Sequence, residues 1–148
     1  MTSQDHSKLI RDFFQAVDSQ DIDKALTFLA PDAVFKVMSM PDQPFKGTQA
    51  IRENLQTWSS AFPNMSCAIS NILSSGDQVV VEYLGKATHE GPLPGPTGTL
   101  QATHRRIEVP ACDVFNISNG KIMIWNCYWQ SELMLNQLGA MPQMKAAA

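Results

Sequence analysis

Apolar residues in the first third of the chain recur at helical spacing. Between Lys8 and Val17, the side chains of Leu9, Ile10, Phe13, Phe14 and Val17 fall on one face of a helix. Asp21 opens a second short helix carrying Ile22, Ala25, Leu26 and Leu29, which Pro31 closes. Ala33 to Met38 reads as a short strand, and Pro41 and Pro44 break it into a loop. After Gly47, with Thr48 as the N-cap, Ile51, Leu55 and Trp58 predict a third helix that ends at Pro63.

Beyond Pro63 the period changes to that of strands. Met65 to Leu73 leads through Ser74-Ser75-Gly76-Asp77 into Gln78 to His89, which is rich in valine. Gly91 to Thr99 carries prolines and glycines at loop density. Leu100 to Ile117 reads as one long strand, with Pro110 marking a bulge or an edge position. Asn119-Gly120 signals a two-residue hairpin, and Lys121 to Gln130 returns antiparallel. Ser131 caps a last helix, Glu132 to Leu138, ended by Gly139. Helices first and an antiparallel sheet afterwards make an α+β fold. A curved sheet closed by those helices forms a cone around one pocket.

An uninterrupted hairpin at Asn119-Gly120 places Asp113 opposite Asn126, Phe115 opposite Ile124 and Ala111 opposite Tyr128. One face then carries Ala111, Asp113, Phe115, Ile117, Ile122, Ile124, Asn126, Tyr128 and Gln130. The other carries Cys112, Val114, Met123, Trp125, Cys127 and Trp129 and is just as apolar, so the sheet is expected to be covered on both sides. Periodicity alone leaves open which face lines the pocket, because a one-residue slip exchanges the two sets. A buried carboxyl at Asp113 must be hydrogen-bonded or have its pKa raised, and a raised pKa suits a general acid or base. The competing role for Asp113 is to cap an amide or to pair with Arg105 or Arg106.

Composition narrows this further. The chain has 148 residues, enough for one domain with a real core, expected to span 1–148 with 1–6 and 141–148 poorly ordered. A formal charge of −3 gives no basic stripe for nucleic acid, and no apolar run reaches the length of a membrane span. The N-terminus lacks the pattern of a secretion signal. The three cysteines form no CxxC pair, so reduced thiols and a cytoplasmic location are expected. His6 reads as solvated. His89 and His104 are placed to meet at one end of the sheet as secondary acid–base groups, and no third ligand at recognisable spacing makes them a metal site. Met38, Trp58 and Phe62, with Met40, either line a pocket mouth or pack in the core.

At these residues the chain resembles the SnoaL-like polyketide cyclase family, also called ester cyclases, of the nuclear transport factor 2-like superfamily. The resemblance runs over nearly the whole chain. It rests on Asp21-Ile22-Asp23-Lys24-Ala25, Pro31-Asp32-Ala33-Val34-Phe35, Phe45-Lys46-Gly47 and Ala61-Phe62-Pro63-Asn64. The C-terminal half adds Thr88-His89-Glu90-Gly91-Pro92-Leu93, Thr103-His104-Arg105-Arg106, Cys112-Asp113-Val114-Phe115, Asn119-Gly120-Lys121-Ile122 and Gln137-Leu138-Gly139. It implies the cone-shaped fold, a homodimer through the sheet, no cofactor, and ring closure of a carbonyl compound by an aspartate acting as acid and base. Here Asp113 takes that role, with Asn126, Tyr128 or Gln130 as donors to the enolate. Gln130 stands where many relatives carry an acid, and His104 where glycine is common. The expected function is therefore cofactor-free acid/base chemistry of cyclase or isomerase type on an apolar carbonyl compound. A carrier for a hydrophobic small molecule and a dimerisation module with a vestigial pocket stay open beside it.

Overall fold

The structure, a computed structural model, describes residues 2–95 and 97–141. Helix α1 (Ser3–Asp18) opens on a capping box, in which Thr2 Oγ1 accepts from the Asp5 amide while the Asp5 carboxylate accepts from the Thr2 amide. It therefore starts earlier than the apolar period shows. Residues 3–6, expected to be poorly ordered, form its first turn. His6 is buried rather than solvated, its Nδ1 3.0 Å from the Gly76 carbonyl. Helix α2 (Ile22–Thr27) is capped by Asp21, and strand β1 (Leu29–Val37) begins before Pro31 rather than after it. Strand β2 (Phe45–Lys46) leads into helix α3 (Gly47–Ala61). Lys46, not Thr48, is the N-cap, because Gly47 at φ +86° lets the chain turn straight from strand to helix.

Strands β3 (Ser66–Ser75) and β4 (Gln78–Thr88) form the next hairpin. The expected Gly91–Thr99 loop contains a small hairpin, β5 (Leu93–Gly95) with β6 (Gly98–Leu100). The long strand expected from Leu100 is accordingly split, and β7 (Arg106–Ser118) starts only after an irregular stretch. Pro110 causes no bulge against β4. It lies one residue past the last pair between β7 and β8 (Lys121–Trp129), where the ladder on that side has ended. Helix α4 (Ser131–Gln137) has Gln130 as its N-cap, and Ser131 bonds Ser39 instead of capping. Among the described residues no helix is long and apolar enough to cross a membrane.

The six-stranded sheet runs β2-β1-β8-β7-β4-β3 and is antiparallel except where β1 lies parallel to β8. Its register stacks inward-facing side chains in layers. The innermost holds Phe35, Trp125, Phe115 and Val79, and the next holds Val37, Cys127, Asp113, Val81 and Ile72. Above them come Trp129, Ala111, Tyr83 and Ile69, and then Val109, Gly85 and Cys67. Helix α1 closes the innermost end with Ile10, Phe13 and Phe14, while Ile51 and Leu55 of α3 cover the β1 side.

One irregularity decides which side chains those layers contain. The hairpin pairs Ser118 with Lys121 and Ile117 with Ile122 as expected, but Asn116 then pairs with Ile124. Met123 is the extra residue of a bulge, and every later position of β8 is shifted by one. Asp113 therefore faces Cys127, not Asn126, and the inner face of β8 carries Trp125, Cys127 and Trp129. Asn126, Tyr128 and Gln130, expected beside Asp113, are corrected to the outer side.

Phe13 is 1% exposed and meets Phe14, Phe28, Phe115 and Trp125 edge-on. Phe13→Ala is expected to cost about 3–5 kcal/mol in urea unfolding, the range for an aromatic cavity that cannot collapse.

Candidate functional site

Asp113 sits in the second layer of the cone at 1% exposure. Tyr83 Oη donates to its Oδ1 at 3.0 Å and Trp125 Nε1 donates to its Oδ2 at 2.8 Å. Both donors are neutral, and no arginine reaches the carboxyl: Arg106 lies beside Glu108, and Arg105 packs near Gly139. Neither Arg105 nor Arg106 is thus the partner of Asp113. Trp125 is held by stacking on Phe35, with centroids 3.8 Å apart, and by the edge of Phe13 at 5.0 Å. Cys127 Sγ lies 3.8 Å from the Tyr83 hydroxyl.

These surroundings set the proton affinity of the site. Removing a carboxylate from water disfavours its charged form more than two neutral donors favour it. Burial accordingly raises the Asp113 pKa from 3.8 to about 6, and the bonds from Trp125, Cys127 and Tyr83 pull the other way. The same burial, with the Asp113 charge nearby, pushes the Tyr83 phenol and the Cys127 thiol well above their ordinary values. Asp113 is the one member of this group that changes protonation near neutral pH.

The two histidines lie elsewhere. His89 and His104 do meet at one end of the sheet, where His104 N–H donates to the His89 carbonyl at 2.9 Å. His89, the residue after β4, is eight positions from Val81, the partner of Asp113, which is about 26 Å of extended chain. It is fully buried, and the Thr103 amide donates to its Nδ1 at 3.1 Å, so the proton of the neutral ring is on Nε2. Burial lowers its pKa, opposed by the Gly91 backbone, and among the described residues Nε2 has no hydrogen-bond partner. His104, at φ +58°, turns its ring outward to Glu90 at 3.1 Å. The three residues expected to act together are thus divided between two places.

Of the other expected residues, Phe115 is buried in the innermost layer. Trp58 and Phe62 stack on one another at 5.4 Å in a second apolar cluster, and Met38 is half-buried just past β1. Tyr128 is 48% exposed, and Gln130 Nε2 donates to the Pro110 carbonyl. Tyr83 and Trp125, the groups that hold Asp113, went unassigned in the sequence. The alternation of Val79, Val81 and Tyr83 was the available signal for Tyr83, and the bulge concealed Trp125. Among the described residues no group of three His, Cys, Asp or Glu side chains converges as for a metal. Two surface depressions, beside Ser7 and Arg11 and beside His6 and Asp77, do not include Asp113.

The raised pKa fixes the sign of a pH effect. The folded chain binds this proton more tightly than the unfolded one, so the stability it contributes is full below pH 4 and is lost as pH rises through about 6. At about 1.4 kcal/mol per unit, the loss is on the order of 2–3 kcal/mol. Denaturation midpoints from pH 4 to 8 should show this decline in the native chain and not in Asp113→Asn. Trp125→Phe, which removes a donor to the charged form, should move the decline to higher pH.

Comparison with known proteins agrees with this architecture. Residues 10–125 match the family model described as a SnoaL-like domain. The fold is similar to that of a candidate SnoaL-like polyketide cyclase from Jannaschia sp. CCS1, with TM-score 0.84, 17% identity, and 95% of each chain covered. It is also similar to AclR, a candidate hydroxylase from Streptomyces galilaeus, with TM-score 0.81 and 19% identity over 95% of this chain and 100% of that one. An LEH-like epoxide hydrolase from M. tuberculosis aligns with TM-score 0.71 and 18% identity over 92% of this chain and 90% of that one. No curated protein matches the chain. A fold that hosts such different activities does not by itself name a reaction. The matched stretch, most of the chain and including Asp113, Tyr83 and Trp125, places this protein in the SnoaL-like family of the nuclear transport factor 2-like superfamily.

Proposed function

We propose that the protein is an enzyme of cyclase or isomerase type that moves a proton on an apolar carbonyl compound, with Asp113 as its acid/base group and no cofactor. The observation that carries this reading is the carboxyl itself: enclosed by aromatic rings, held by two neutral donors, and raised to about pKa 6. A base of that pKa is charged at neutral pH yet returns a proton readily. In the proposed step Asp113 takes a proton from the carbon beside a carbonyl, and the C–H electron pair moves onto the carbonyl oxygen. Tyr83, whose hydroxyl already lies at the carboxyl, is the donor proposed for the resulting enolate. Returning the proton to another carbon gives an isomer; attack of the enolate carbon on a second carbonyl of the same molecule closes a ring, that carbonyl's π pair moving to its oxygen, which takes the proton back from Asp113.

A second reading, a carrier that binds without turnover, is favoured by one observation. Gln130 is exposed, neutral and engaged with Pro110, so that position supplies no second acid. Both readings accommodate a homodimer through the outer face of the sheet. That face leaves Ile124 at 38%, Tyr128 at 48% and Leu73 at 60% exposed. Tyr128→Glu is expected to shift the sedimentation of a dimer to that of a monomer; unchanged sedimentation removes this interface.

Deuterium exchange at the carbon beside the carbonyl of simple cyclic ketones tests the enzymatic reading. The native chain should catalyse exchange with a rate that rises through about pH 6, and Asp113→Asn should lose at least a hundredfold. Ketone binding without exchange would leave the carrier.

A further inference from the structure

The third and fourth layers of the cone are built around a ring. Trp129 pairs with Ala111, and its indole lies across β7 onto Gly85 of β4. A Cβ at Gly85 would stand 2.7 Å from Trp129 Cη2 and 2.8 Å from Cζ3. Two small residues, Ala111 and Gly85, thus make a flat floor at this level, with the Tyr83 side chain beside it. Directly beneath is the layer of Asp113 and Cys127, one strand repeat away, about 7 Å.

The indole packs against both apolar clusters, but its polar tether is weak. Its Nε1–H donates to Met134 Sδ at 3.4 Å, and a thioether is a weak acceptor. Trp58 meets it edge-on at 6.0 Å, and the side chain is only half-buried. Met134 belongs to α4, whose N-cap, Gln130, turns its side chain to the Pro110 carbonyl and does not cap the helix. The contrast with Trp125 is sharp: that indole is stacked on two rings and donates to a carboxylate.

We propose that Trp129 occupies the ligand's place. A flat molecule about the size of a fused bicycle binds by displacing the indole from the Gly85–Ala111 floor, and its carbonyl then reaches Tyr83 and Asp113. This deepens the proposed function and rests on Asp113 facing the ligand. It assigns the substrate class, a planar ring ketone rather than a flexible chain, and makes Trp129 the residue that sets it.

The test uses the full chain and 1-indanone as probe, followed by NMR with indole nitrogen and carboxyl carbon labels. Binding should move the Trp129 Nε1–H and Asp113 carboxyl resonances together. Trp129→Ala, checked as folded by amide-exchange protection, should bind 1-indanone at least tenfold more tightly because no ring has to leave. Gly85→Ala, whose new Cβ pushes the indole off its floor, should raise alkylation of Cys127 by iodoacetamide at least tenfold without any ligand. Binding that leaves Trp129 unmoved, a folded Trp129→Ala with no gain in affinity, or unchanged Cys127 reactivity in folded Gly85→Ala would each overturn the proposal. Displacement of Trp129 with no Asp113-dependent deuterium exchange supports the displacement and removes the enzymatic reading instead.

Discussion

The bulge at Met123 is the constraint on which the interior depends. Strand side chains alternate, so one extra residue sends everything after it to the opposite face. Without it, Asn126 and Tyr128 would face inward beside Asp113, and three large or soft side chains, Trp125, Cys127 and Trp129, would lie outside. With it, the Trp125 Nε1–H reaches the Asp113 carboxyl and Trp129 comes to lie over Gly85. The parallel pairing of β1 fits the shifted strand, since Phe35 then aligns with Trp125 and stacks on it. The inward placement of Trp125, Cys127 and Trp129 in three successive layers follows from this one insertion in β8.

Energetically the site runs against the rest of the core. Phe13, Phe14, Phe35 and Phe115 gain by leaving water and by edge-on or stacked contacts with their neighbours. Asp113 loses by the same burial, and its two neutral donors recover part of that loss. Acids in such surroundings are retained at the expense of stability where the proton is useful. Tyr83 and Cys127, pushed further from titration by the same burial, remain donors or bystanders. Burial lowers the pKa of His89, whose Nδ1 accepts from the Thr103 amide, in a different environment beyond the far end of β4.

The fold was largely legible because the alternation of strands and the turns at Gly76-Asp77 and Asn119-Gly120 are local signals. The burial of Asp113 was legible too, since it alternates with Ala111, Phe115 and Ile117. Its partners were not. In Lys121 to Trp129 both faces are apolar: Ile122, Met123, Ile124 and Trp125 can exchange sides with little change in burial, so no pattern marks the bulge. The first turn of α1 was missed because Thr2, Ser3, Gln4 and Asp5 carry no apolar period, and the capping box alone sets that end. The split before β7 escaped because Gln101 to Arg105 holds no glycine or proline. His89, His104 and Asp113 looked like one group because sequence shows residue type, whereas the histidines lie beyond the ends of β4 and β7 and Asp113 lies well inside β7.

The central claim is that desolvation, not ion pairing, governs Asp113. Carboxyl carbon NMR titration of the native chain, with Asp113→Asn identifying the resonance, measures this directly. The account predicts a midpoint near 6. A midpoint at or below 3.8 would show a solvated or charge-paired aspartate and would contradict it.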